Sequence, residues 1–79
     1  MSSTKSGSVP PPLWRKPDGS PVACIEKIKV LNENYRELRQ IAQDALEDAV
    51  LMGCSEDQVR AALHLLVDEL VNPYPPVDG

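Results

Sequence analysis

Phenylalanine is absent from this 79-residue chain, and one tryptophan and two tyrosines supply all of its aromatic area. The core must come from Leu, Val, Ile and many Ala, and a chain this short buries only a modest share of its surface. Small helical domains of that kind gain stability from a disulfide, a metal or self-association. Histidine occurs once, at His64, and no pair of soft ligands stands at zinc-like spacing, so no metal site is expected. Cysteine occurs twice, at Cys24 and Cys54, thirty positions apart. Joined by a continuous helix they would lie roughly 45 Å apart, whereas a bridge needs Cα atoms within about 7 Å. The Ser-rich start lacks the apolar run of a secretory leader, and with unbridged cysteines this predicts a cytoplasmic protein. No apolar run reaches membrane-spanning length, so no membrane role is expected.

Proline and glycine are also missing from Val22 to Met52, and that absence defines the chain's longest element. One seven-residue register places Ile28, Tyr35, Ala42 and Ala49 at the first core position. It places Cys24, Leu31, Leu38, Ala45 and Met52 at the second, and Ile25, Ile41 and Leu46 widen the stripe. A repeat of seven falls slightly short of two helical turns and favours antiparallel packing with a gentle left-handed wrap. Ser20 is read as the N-cap, Pro21 as the first helical residue and Gly53 as the left-handed C-cap.

Residues 1–20 read as a tail, disordered to about Pro12 and extended through Pro10–Pro17. That run suggests a proline-rich ligand, but no two of its prolines stand three apart, and folding of Leu13 and Trp14 back onto the helix is favoured. Pro17-Asp18-Gly19-Ser20 reads as a turn, since proline fixes φ, Asp bonds nearby backbone and glycine accepts positive φ. Ser55 with Gln58 forms a capping-box pattern that opens a second helix, from about residue 56 to 71. Val59, Ala62, Leu63, Leu66, Val67 and Leu70 make its apolar face, with Ala61 and Leu65 outside it. Asn72 and Pro73 end it, and 73–79 is a second proline-rich tail.

The expected fold is therefore all-α: a helical hairpin domain over 21–72, its helices at about 22–52 and 56–71, joined by a link too short for anything but an antiparallel return. The second helix spans roughly 24 Å and leaves part of the first uncovered. Net charge is −4 for the chain, +2 over residues 1–20 and −6 over 21–79. The long helix has Lys27, Lys29, Arg36 and Arg39 in its first two thirds, then Asp44, Glu47 and Asp48 at the end where its dipole disfavours acids. An antiparallel four-helix homodimer would set each acidic end beside its mate's basic part, with Ile25, Ile28, Leu31, Tyr35, Leu38 and Leu65 as interface residues.

No constellation calls for catalysis. His64 has no relay partner, and no catalytic or cofactor residue is assigned. Cys24, near a helix start and Lys27, is the cysteine with a reason to be reactive. The acids Asp44, Glu47, Asp48, Glu56 and Asp57 around the turn lack a wrapping loop for a hard cation. Phosphate contact by the basic part of the first helix is the alternative, a small nucleic-acid-binding regulator, but Glu26, Glu33 and Glu37 largely cancel that field. Exposed aromatics and Arg anchor interfaces, which singles out Trp14, Arg15 and Tyr74 as partner contacts.

The stretches LWRKPDGSPVACIEKIKVL, AQDALEDAVLMGC and LVNPY resemble small uncharacterised proteobacterial proteins, over Leu13–Tyr74. That resemblance implies no activity and carries no site residue with it. The function expected is a non-enzymatic protein interaction or regulatory module in a bacterial cytoplasm.

Overall fold

The computed structural model describes residues 9–75, and the parts of the predicted tails at 1–8 and 76–79 lie outside them. Two helices account for the regular structure among these residues: α1, Ile25–Leu51, and α2, Glu56–Glu69. The fold is an all-α helical hairpin. No helix among the described residues is long and apolar enough to cross a membrane.

α1 starts three residues later than its sequence signals suggest, and the turn before it supplies the reason. Ser20 does not cap a helix, because its carbonyl accepts the Lys16 N–H at 2.8 Å and its N–H and hydroxyl both donate to Asp18 Oδ1. Pro21 forms an isolated antiparallel bridge with Arg15 instead of occupying the first helical position. The first helical bond belongs to Cys24, whose carbonyl accepts from Ile28 N–H at 3.0 Å.

The other three termini follow local chemistry. Gly53, at φ 105°, donates to Val50, while Cys54 donates to Ala49. These two bonds make a Schellman motif, which satisfies carbonyls that the end of α1 would leave unpaired. Ser55 Oγ then accepts the Gln58 N–H at 3.1 Å and caps α2. α2 stops two residues short of the predicted end, where Leu70 turns extended (φ −66°, ψ 141°).

The chain divides within α1 into two compact units, one covering described residues 9–39 and the other Gln40–Pro75. In the first, Gly19 at φ 91° closes a three-residue loop between Lys16 and Ser20, with Lys16 accepting from Gly19 N–H. That is the pattern of a type I turn followed by a left-handed glycine. Val22 N–H donates to Trp14 at 2.9 Å and completes a short ribbon. The second unit is the hairpin proper: Ala42, Leu46 and Ala49 of α1 and Val59 and Leu63 of α2 are its half-buried apolar residues. Among the described residues none is fully buried.

Candidate functional site

Three places could carry function: an aromatic clasp in the first unit, the open apolar faces, and the thiol at the start of α1. The clasp is built on one face of α1 by Asn32, Tyr35 and Arg39, which the helical period brings into line. Trp14 Nε1–H donates to Asn32 Oδ1 at 2.7 Å. The Trp14 ring meets Tyr35 edge-on, with centroids 5.9 Å apart and planes at 77°. The Arg39 guanidinium lies 5.0 Å from the Tyr35 ring centroid and also donates to the Val9 carbonyl at 2.6 Å. Edge-to-face and cation–π contacts each contribute about 0.5–1.5 kcal/mol. The segment from Val9 to Trp14 is thus held to α1 at both ends. A shallow depression of about 290 Å³, bordered by Pro11, Leu13, Trp14 and Ile28, lies beside it.

This arrangement distributes the sequence-predicted contact residues unequally. Trp14 is half-buried in its own chain, whereas Leu13 remains exposed. Arg15 is exposed and donates from Nη1 to the Gly19 carbonyl at 2.9 Å, bracing the turn. Tyr74 is 75% exposed, after a turn in which its N–H donates to Asn72 Oδ1. Of the predicted interface residues, Ile28, Leu31 and Tyr35 are half-buried, and Ile25, Leu38 and Leu65 are open to solvent.

The apolar faces are the larger feature. In the first unit Val30 is exposed beside an open depression of about 430 Å³ bordered by Glu26, Lys27, Val30 and Leu31. In the second unit Leu66 and Leu70 share the helical face of Val59 and Leu63, yet they are 53% and 71% exposed. Ile41 and Ala45 flank the inward line of α1, and Ala62 and Leu65 flank that of α2. In an antiparallel pair of helices these two flanks turn the same way, making one face with Ile41 at 66% and Leu65 at 58% exposure. Moving a Leu or Ile side chain from water into a packed interior contributes about 1.5–3 kcal/mol. Against a net stability of about 5–15 kcal/mol for a domain, several such gains left unrealised are a large share.

Cys24 sits at the N-cap of α1. Hydrogen bonding from the Lys27 backbone N–H outweighs the opposing effect of desolvation and, with lesser help from the Glu26 N–H and the Lys27 charge, holds its thiol below the ordinary cysteine range. Both cysteines are free and exposed. Among the described residues, no three His, Cys, Asp or Glu side chains gather where they could hold a metal. The carboxylates near the turn instead make local contacts: Glu47 accepts from Gln43 and Glu56 from Arg60, both at 2.8 Å.

In the sequence Arg39 stands out only as a charge, and neither Asn32 nor Val9 stands out at all. The available signal was the spacing of Asn32, Tyr35 and Arg39 by three and four positions, a polar line running through an apolar stripe. No family model matches the chain, and neither a curated protein nor a solved structure matches it.

Proposed function

We propose that this chain is a non-enzymatic interaction or regulatory module that works by presenting its apolar helical faces to another polypeptide. One observation carries the reading. Two helices joined by a well-capped corner leave Ile41, Leu65, Leu66 and Leu70 more than half exposed, while no described residue is fully buried. Contiguous apolar surface of this kind, bordered by charged side chains, is what protein interfaces use. The exposed free thiols of Cys24 and Cys54 support a reducing, cytoplasmic location for the module.

The alternative of nucleic-acid binding has weaker support. Arg39, one of the four cations it needs, lies over Tyr35 and bonds the Val9 carbonyl. The residues of Gln40–Pro75 add a net charge of −6, one basic side chain against seven acidic ones, which repels phosphate. A retardation assay at low and moderate salt should give no shift, and tight complexes that weaken steeply with salt would favour the nucleic-acid reading instead.

The module reading is tested by urea unfolding and apolar-dye fluorescence, read beside absolute mass. The expected result is either a monomer that binds dye and unfolds at low urea, or an assembly whose unfolding midpoint depends on protein concentration. A monomer that binds no dye and unfolds cooperatively with the stability of an ordinary domain would overturn it.

A further inference from the structure

Resting on the module reading, we propose that the polypeptide completing the open faces is a second copy of this chain, with residues 40–75 of one copy seated on residues 9–39 of the other. Each chain carries two incomplete faces of opposite sign. The described residues 9–39 hold six basic and four acidic side chains, a net +2, with Val30 and the 430 Å³ depression as the apolar part. Gln40–Pro75 holds one basic and seven acidic side chains, a net −6, around Ile41, Leu65, Leu66 and Leu70.

Charge decides the pairing among the ways two copies could meet. Seating the acidic hairpin on its own counterpart sets −6 against −6, and like charge at an interface suppresses association. Seating it on the basic unit sets −6 against +2, and a two-fold axis makes that contact twice. The helix ends agree with this choice. Neither α1 nor α2 has a basic residue in its last turn, so Glu47 and Asp48 face the unfavourable end of α1's dipole with no cation of that turn to offset it. Lys27 of a second copy, which borders the depression of the basic unit at the opposite end of an antiparallel α1, supplies a cation there. The same arrangement brings Cys24 of one copy toward Cys54 of the other, and both thiols are exposed.

Light scattering on the full chain, in reducing buffer over a concentration series, measures the mass. The expected value is twice the 8.7 kDa of one chain, with tighter association at low salt. The variant Lys27→Glu should raise the dissociation constant about fivefold, since two weak charge contacts, one per copy, are reversed at once. Lys27→Glu adds an acid to the first turn of α1, where the dipole favours it, so helicity by circular dichroism should hold or rise and loss of assembly will not be loss of fold. Adding Glu47→Lys/Asp48→Lys to that variant should restore association. Mild oxidation followed by peptide mapping should give a Cys24–Cys54 link between copies. A dimer indifferent to the charge reversals, or one linked Cys54 to Cys54, would overturn the pairing. A single-chain mass at every concentration with apolar dye bound would overturn the second copy as occupant while leaving the module reading intact.

Discussion

Cys24 combines an exposed position with two backbone N–H groups that favour its thiolate, and reactivity should follow. Alkylation of the Cys54→Ser variant should proceed faster than that of Cys24→Ser near neutral pH, with a pH midpoint below that of a free thiol, as read by mass spectrometry. Because folding depresses the Cys24 pKa, its contribution to stability is present above the unfolded thiol's pKa and disappears as pH falls through the folded value. The Asp18 carboxyl is likewise held down, first by the Ser20 hydroxyl and then by the Ser20 N–H, so acid should loosen the turn that it closes. Trp14 offers a separation of ring from donor. Trp14→Phe removes the bond to Asn32 and keeps an edge for Tyr35, at a cost of about 1 kcal/mol. Trp14→Ala removes both and should cost at least about 1 kcal/mol more, measured by urea unfolding followed by circular dichroism.

At the scale of the element, the hairpin's corner is set by two residues with distinct roles. Gly53 holds φ 105° with nothing within 4 Å of an added Cβ, so Gly53→Ala tests backbone strain alone and should destabilise by about 1–2 kcal/mol. Ser55→Ala removes the acceptor for Gln58 N–H and should cost about 1 kcal/mol. Thermal unfolding of the two variants checks both values. These positions were legible in the sequence because their signals are local: a glycine after an apolar repeat, and a serine three residues before glutamine. The start of α1 was not, since two local signals compete for Ser20. Its hydroxyl suits a helix cap, but Pro17, Asp18 and Gly19 form a turn that uses the same residue first, and the turn prevails. The clasp was less legible still. Trp14 and Asn32 are separated by 18 positions, and Val9 and Arg39 by 30, so no window of sequence shows that they meet. The folding back of Trp14 could be expected from the short reach of α2, but its partners could not.

For the molecule as a whole, a core left open makes stability a property of the solution as well as of the chain. If a second copy completes the faces, the free energy of unfolding should rise with protein concentration, by about 2.7 kcal/mol for a hundredfold increase, in urea titrations at two loadings. The apolar stripe of α1 and the split of charge along it were readable from the outset, since both depend only on the helical period. Which side chains stay exposed was not, because Leu66 and Leu70 carry the same pattern as the half-buried Val59 and Leu63. A chain that keeps so much apolar surface in water while single also risks joining its neighbours in the wrong way. The ribbon that precedes α1 limits one such route. Its bridge ends on Pro21, which has no N–H to offer, and Pro17 within the loop has none either. A strand from another molecule therefore finds no continuous row of donors to add to, and the isolated bridge among the described residues is a poor seed for cross-β growth.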